Sequence, residues 1–590
     1  KRILSIDCDF LGTREPDHLR HTREFSKGRK IIDSADAEHM NRLYSVEADL
    51  TLTGAAADHR LRLASSQATS FACALTAEVL AATGKGDESI IAHLKELGDQ
   101  AGVDSNWVSE VAKDLVSNKE ESVVLAGSQL PGEAHLLTYA VNQALGSRGN
   151  TIDYIETPAD DSASLEDLAK ALKTGEIDTL VFLGGNPAYS GSGNLDWKSI
   201  SANVKHKVRF GPSLDETSEL ADLHVGASHY LESWGDGLTW DQSAFLPVQP
   251  LISPIFDTLS ELDFLSKLAG EGDNSYALVK QTFAELSDGS SFDDFLRLGV
   301  HSLDVTTFKD HVLDLTGLKD IGDQLPDAPE GDNLELLLVP DFHTWDGRYA
   351  NNGWLQECPD PMSKLTWDNA ILISPVLAGE LEKKGLSLLP KPKTLNKGGQ
   401  VSRDAAIFNR GQQDAPVVRL SLSTDTFIEG PLYVQPGLAD YVVVASLGMG
   451  RTNVGRVGEE TGYSACGLLA ADGNRIATGV KLELTSKRRI LANVQEHWSM
   501  EGRAIVREGT VDEYRHDNGF AAHMGSESHS PAIYGRDQDK DLKYKTQTTP
   551  RGNSSYEHPD HTYENSDEFG LHQWGMSIDL NLCTGCNACV

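Results

Sequence analysis

Ser122-Val-Val-Leu-Ala126, Glu133-Ala-His-Leu-Leu-Thr-Tyr-Ala-Val-Asn-Gln-Ala-Leu145 and Leu180-Val-Phe-Leu183-Gly-Gly-Asn-Pro187 are the segments whose reading decides the fold. The first is a short apolar run suited to a buried strand, and Gly127 with Pro131-Gly132 supplies a turn after it. In the second, Leu137, Ala140, Val141, Ala144 and Leu145 recur at i, i+3, i+4, i+7 and i+8, which is one helical face, and Gly146 ends it. Thr151–Ile155 predicts a second strand. Ser164-Leu-Glu-Asp167 opens a further helix like a capping box, with Leu165, Leu168, Ala169 and Leu172 on one stripe and Gly175 as its stop. Leu180–Leu183 predicts a third strand. The order β-α-β-α-β predicts an α/β fold with a parallel, doubly wound sheet. Val208–Phe210 and Asp222–Val225 are expected as further strands of that sheet.

Outward from this unit, residues 36–120 read as mostly helical, with Ser70–Ala82 the best example. Residues 255–330 are acidic and helical and read as a connector. From Leu334 the pattern changes. Leu336–Val339, Val417–Leu422, Tyr441–Ala445 and Lys481–Leu484 are short β-rich runs separated by Gly, Pro and Asn, the pattern of a β-barrel. Residues 508–575 are polar and rich in His, Asp, Ser and Tyr, and are expected to wrap over other surfaces. The expected organisation is an α/β region at 1–330, a β-barrel domain at 331–507, an extended wrapping segment at 508–575, and the start of a ferredoxin-like 4Fe–4S domain at 576–590.

A chain of 590 residues has room for about four domains of ~150 residues each. Its net charge of −36 argues against nucleic acid as a partner, because phosphate contacts need clustered Lys and Arg. That charge either steers a basic partner such as a cytochrome or keeps the surface solvated. The sequence has no run of 18 apolar residues to span a bilayer, so membrane attachment would come through another subunit. The first residue is Lys1, not Met, and leads straight into the strand-like Ile3–Asp7, so a processed N-terminus is expected, with which a targeting signal could have been lost.

The chemistry concentrates at Cys583-Thr-Gly-Cys586-Asn-Ala-Cys589. A C-x2-C-x2-C run on a Gly-containing loop can direct three soft thiolates at one centre, which is how a 4Fe–4S cluster is gripped. The chain stops one residue later, so the fourth ligand is expected beyond Val590. Half a zinc site, a redox dithiol or free surface thiols are the rival readings. Against zinc, the sequence has no second C-x-x-C and no H-x3–5-H near the tail. Cys8, Cys73, Cys358 and Cys466 are isolated and read as small buried apolar residues.

Other motifs are weaker. Gly184-Gly185-Asn186-Pro187 at a strand exit suits either close approach to a phosphate or a tight turn. Gly448-Met-Gly450-Arg451-Thr-Asn-Val-Gly455-Arg456-Val-Gly458 suits either a pyrophosphate grip or a barrel loop. His497 beside Glu496, in Gln495–Arg503, reads as a structural pair. His516, His523, His529, His558 and His561 match no zinc spacing. There is no nucleophile elbow and no convincing acid–base pair, so no catalytic residue is assigned.

Taken in order, several stretches resemble the molybdopterin oxidoreductase superfamily. They are Leu183–Ala188, Ala221–Val225 with His229–Asp236, Gln249–Pro254, and Pro436–Asp440 with the Gly/Arg loop. The chain is similar over nearly its whole length to a narrower family, the B subunits of alternative complex III. Those fuse a molybdopterin-enzyme-like body to a ferredoxin-like module. Met40–Tyr44, Leu52–Ala55, Ala57–Leu61, Asp346–Glu357, Leu365–Ala370 and Trp574–Cys589 carry that likeness. The resemblance implies an α/β body with a β-barrel, no molybdopterin in the body, and several iron–sulfur clusters in the ferredoxin-like part. Cys583, Cys586 and Cys589 would ligate one 4Fe–4S cluster. It further implies electron transfer from quinol towards c-type cytochrome subunits, an integral-membrane quinol-binding partner, and a periplasmic position held by membrane subunits. The absence of cysteines beside Cys8 and Cys73 agrees with a body lacking the metal. The rival expectation is a working molybdopterin oxidoreductase with a fused ferredoxin-like domain.

Overall fold

The computed structural model describes residues 1–155, 162–191, 193, 195–239, 241–272, 274–305, 312–322, 325–386, 412–470, 472–494, 506–523 and 576–589. Strands β1 (Arg2–Ile6), β2 (Arg42–Glu47), β3 (His59–Arg62) and β4 (Ser122–Ala126) form a four-stranded sheet in the order β3-β2-β1-β4. All its pairings are parallel. Successive side chains of a strand face opposite sides, and this sheet buries both. Leu4, Ile6, Tyr44, Val46 and Val124 pack on one side with the helices Ala68–Thr83, Ser105–Asn118 and Gly132–Leu145. Leu43, with Ile3 and Leu125, packs on the other with Phe25 of the helix His18–Lys27.

The helix expected after β4 is present, with Leu137, Ala140, Val141, Ala144 and Leu145 buried and Gly146 left-handed at its end. The expected strand Thr151–Ile155 is absent. Instead of a strand there are isolated bridge residues, Ile152, which pairs with Arg148, and Ile155. The reason is local. The Ser147 carbonyl accepts from the amides of Asn150, Thr151 and Ile152, which curls the chain, and the Thr151 hydroxyl donates to the Ser122 carbonyl at 2.7 Å. β4 takes β1 as its neighbour instead, from a strand 120 residues upstream. Residues 36–120, read as mostly helical, also contribute β2 and β3.

β5 (Thr179–Leu183), β6 (His206–Gly211) and β7 (Leu223–Gly226) form a separate parallel sheet in that order. The single sheet expected from the sequence is therefore two. The helix Leu165–Thr174 is capped by Ser164, whose hydroxyl accepts from the Asp167 amide, and it ends at left-handed Gly175. It buries Ala169 and Leu172 against Leu180 and Phe182 of β5. β8 (Gly235–Leu238), β9 (Ala244–Val248) and β10 (His301–Ser302) make an antiparallel sheet. The helices Glu261–Ala269, Ser275–Leu286 and Phe292–Leu298 occupy the expected helical connector, where Phe295 stacks on Phe245 of β9 and Phe283 stacks on Phe295.

β11 (Leu334–Pro340), β12 (Leu365–Thr366), β13 (Ile371–Ile373), β14 (Gln412–Ser421), β15 (Phe427–Val434), β16 (Val442–Leu447) and β17 (Ile476–Asn493) form the largest sheet, ordered β11-β16-β13-β15-β14-β17-β12. β11 also pairs with β17, so the hydrogen-bonded order returns on itself. Leu336, Leu338, Ile371, Ile373, Val418, Leu420, Val443 and Ala445 fill its core. Glu335, on buried β11, accepts from the amides of Ser65 and Ser66 at 2.8 and 3.0 Å, which ties this sheet to the turn that opens the helix Ala68–Thr83. In the expected wrapping segment, Val511–His516 and Phe520–His523 are short helices. Residues 524–575, and Gln495–Arg503 with His497, lie outside the described residues. Among the described residues no helix is long and apolar enough to cross a membrane.

Candidate functional site

Two sequence motifs meet at Glu216. β5 exits through Gly184, whose φ of 73° suits glycine, and Pro187 then starts a one-turn helix. Asn186 between them accepts from the Thr217 hydroxyl at 2.6 Å and donates to Glu216 Oε2 at 2.8 Å. The loop after β6 is braced by fully buried Arg209, which pairs with Asp215 at 2.7 Å and donates to the carbonyls of Gly184 and Phe210. Glu216 then reaches the Gly/Arg loop that follows β16. Arg451 donates to it at 2.6 and 3.1 Å, and the amides of Thr452 and Asn453 add two more bonds. Arg451 also donates to the Gly347 carbonyl and lies 5.0 Å from the Tyr189 ring centre. Burial pushes the Glu216 carboxyl up, but hydrogen bonds from Arg451 and Asn186 outweigh it and hold it at about 2. Gly450 is left-handed, and a Cβ there would collide with the Ser464 backbone. Arg451, a candidate for gripping pyrophosphate, is thus neutralised by the chain's own carboxylate.

A second site escaped sequence reasoning. A cavity of about 90 Å³ opens where β1, β2 and β11 end, lined among others by Asp9, Arg14, Asp49, Asp341, His343, Asp360 and Asp368. The carboxyl ends of parallel strands are where ligands gather in α/β folds. The signal was available: Asp9 follows β1 closely, and Asp341 follows Val339-Pro340 directly. Arg14 pairs with Asp49 at 2.7 Å, Arg489 with Asp368 at 2.7 Å, and His343 Nδ1 with Asp341 at 3.1 Å. Asp9 accepts from the Thr53 hydroxyl and amide. Burial pushes Asp368 up to about 6, with Arg489 opposing it. Burial pushes His343 down, but the Asp341 carboxylate more than offsets this and raises it.

The cysteine run lies on the surface of the body. The thiols of Cys583, Cys586 and Cys589 are exposed, whereas Thr584 between the first two is buried. Asp579 starts the turn, its carbonyl accepting from the Leu582 and Cys583 amides. Gly585 and Asn587 are left-handed, so the loop reverses between successive cysteines. Ser26 donates to the Leu582 carbonyl at 3.1 Å, and Lys364 Nζ donates to Asn587 Oδ1 at 3.2 Å. Among the described residues, no three His, Cys, Asp or Glu side chains stand close enough together to hold a metal ion. The donor set suits iron by chemistry, with three soft sulfurs on one short loop, and the loop must tighten to bring them onto one centre.

The isolated cysteines sit apart. Cys8, Cys73 and Cys466 are buried, while Cys358, expected to be buried, is half-exposed. Burial pushes the Cys73 thiol up to about 12 and raises Cys8 and Cys466, so these thiols stay protonated.

No protein-family model matches the chain, and no curated protein matches its sequence. Its structure is similar to that of acetylene hydratase from Pelobacter acetylenicus, with a TM-score of 0.56 at 13% identity, covering 82% of this chain and 78% of that one. The fold is molybdopterin-oxidoreductase-like. At this identity the likeness concerns architecture alone. Within that fold, the 90 Å³ cavity and the Glu216–Arg451 contact are features of this chain's own residues.

Proposed function

We propose that this chain is an iron–sulfur electron-transfer and scaffold subunit of a membrane-bound quinol oxidoreductase of the alternative complex III kind. The observation that carries the reading is the Cys583–Cys589 loop, with three exposed thiols, held to the body by Ser26 at the Leu582 carbonyl and by Lys364 at the Asn587 side chain. A 4Fe–4S cluster there supplies one-electron exchange when bound. Cys583, Cys586 and Cys589 act as thiolate ligands, with a fourth ligand from elsewhere. Met576, Ile578 and Leu580 alternate along the lead-in with their side chains exposed, which suits a strand whose apolar face another segment covers. That segment would be the rest of a ferredoxin-like domain, and the cyclic order of the largest sheet supports reading it as a barrel.

The body's residues fit a scaffold better than a molybdopterin enzyme. A pyrophosphate-bearing cofactor needs cations and room, and ligand pockets usually span about 300–1,000 Å³. The cavity at the ends of β1, β2 and β11 offers about 90 Å³ and five carboxylates, with Arg14 and His343 already paired, while larger clefts of about 780 and 910 Å³ lie elsewhere on the body, beside Phe25 and Ile152 and beside Ser65 and Arg475. The buried thiols are protonated and Arg451 is engaged by Glu216. At the small cavity and at Arg451 the residues present do not fit the group. The integral-membrane quinol-binding subunit and the c-type cytochrome subunits are proposed as partners, with the chain held peripherally on the periplasmic side. One observation favours a catalytic body instead, the buried His343–Asp341 pair facing the cavity. Elemental analysis of the anaerobically purified complex separates the two. Iron with neither molybdenum nor tungsten is expected, and molybdenum or tungsten at one atom per chain would overturn the scaffold reading.

A further inference from the structure

Lys364 lies far from the cysteines in sequence and touches their loop in space. Its backbone is left-handed, with a φ of 63°, a conformation that costs a non-glycine residue energy unless its surroundings impose it. Here they do. The Lys364 amide donates to the Asp360 carbonyl at 2.9 Å, and its own carbonyl accepts from the Val494 amide at 3.1 Å. The Asp360 side chain braces the same turn by accepting from the amides of Met362 and Ser363 and from the Ser363 hydroxyl. The turn so formed aims the ammonium at two oxygens, the Pro361 carbonyl at 2.7 Å and Asn587 Oδ1 at 3.2 Å. Asn587 stands between Cys586 and Cys589 and is itself left-handed, with a φ of 62°. On the far side of the loop, Thr584 is buried, one methyl of Leu52 lies 4.0 Å from where a Gly585 Cβ would stand, and Ser26 holds Leu582. The loop is therefore held at Leu582 and at Asn587, with Cys589 beyond the second contact, and the hold at Asn587 carries a positive charge.

We propose that Lys364 is a positioning residue for the iron–sulfur centre, fixing the Asn587 turn and raising the reduction potential of the cluster through its charge. The inference rests on the iron–sulfur reading of Cys583, Cys586 and Cys589. A cluster gains negative charge on reduction, so a nearby ammonium stabilises the reduced state, and net charge and hydrogen bonding at the site are among the determinants of the potential. The local balance makes the charge count. The chain carries −36 overall, and Asp579 opens the loop with its side chain accepting from the Asn581 amide. Lys364 opposes that field from within contact of the loop.

The test is a redox titration of the cluster's paramagnetic resonance signal in the intact complex, for the natural protein, Lys364→Gln and Lys364→Arg. Gln keeps a donor for Asn587 without the charge, and Arg keeps the charge. A lower midpoint potential in Lys364→Gln, restored towards the natural value in Lys364→Arg, is expected. Loss of the signal in Lys364→Gln alone also supports the clamp. An unchanged midpoint in Lys364→Gln overturns the proposal while leaving the iron–sulfur reading standing, as does loss of the signal in both variants with a folded body. A natural protein with no cluster signal overturns both. As a second measurement, alkylation of the three thiols in the cluster-free chain is expected to quicken in Lys364→Gln, and an unchanged rate would count against the clamp.

Discussion

Arg451 and Glu216, 235 residues apart in sequence, form a two-point ion pair with contacts of 2.6 and 3.1 Å, and their side chains are 6% and 11% exposed. This pair joins the loop after β6 to the Gly/Arg loop after β16, so it couples the three-stranded parallel sheet to the large sheet. Removing one partner leaves the other buried and uncompensated.

Arg451→Met is accordingly expected to destabilise the chain by about 3 kcal/mol, with much of the loss recovered when Glu216→Met is added. Calorimetric melting of the single and double variants checks this. The pH dependence has a fixed sign. The folded carboxyl is held at about 2, below its ordinary value of 4.5, so the pair's contribution is fully present above that value and is lost as pH falls from there towards 2. Melting of the natural protein should lose this part of its stability over that window, and Arg451→Met should show a flatter profile there.

Asp7 behaves in the opposite way. It follows β1, its Oδ1 accepts from the Ala48 amide, and its buried carboxyl also faces the Ser65 side chain. Burial raises the carboxyl from 3.8 to about 7, against hydrogen bonds that lower it. The folded chain holds a proton that the unfolded chain releases, so this group's contribution is fully present below the unfolded value and falls as pH rises towards 7. Asp7→Asn keeps the acceptor for Ala48 and tolerates the left-handed φ of 47°. It is expected to stabilise the chain at pH 8 by on the order of 2 kcal/mol and to change little at pH 4. Equal effects at both values would contradict this account.

The local half of this fold is written in the sequence, and the long-range half is not. The helix Gly132–Leu145 follows from the spacing of Leu137, Val141 and Ala144, and its end follows from Gly146. Those signals act within a few residues. Which strand lies beside β4 is a different question, decided by β1 across 120 residues, and an apolar run does not name its partner. Thr151–Ile155 misled for a different, local reason: the Ser147 carbonyl takes the amides of Asn150, Thr151 and Ile152 and turns the run aside. At the candidate sites, the cysteine spacing was legible as chemistry, whereas Lys364 and Ser26 beneath it carry no motif. Glu216 gave no warning that it neutralises Arg451. The acidic cavity was half-legible, through Asp9 and Asp341 at strand ends.

Glu335 supplies a third expectation. It is fully buried on β11 and accepts two amides, from Ser65 and Ser66. Glu335→Ala leaves both amides unpaired and is expected to cost about 2–3 kcal/mol, while Glu335→Gln, which retains one acceptor, costs less. Melting temperatures in the order natural, Gln, Ala check this, and an Ala variant as stable as the natural protein would contradict it.

The central claim is that Cys583, Cys586 and Cys589 ligate iron. The most direct measurement is low-temperature paramagnetic resonance of the anaerobic, reduced complex, comparing the natural protein with Cys586→Ser. The account predicts a 4Fe–4S signal that is lost or altered in shape in the variant. A full set of cluster signals unchanged by Cys586→Ser would contradict it.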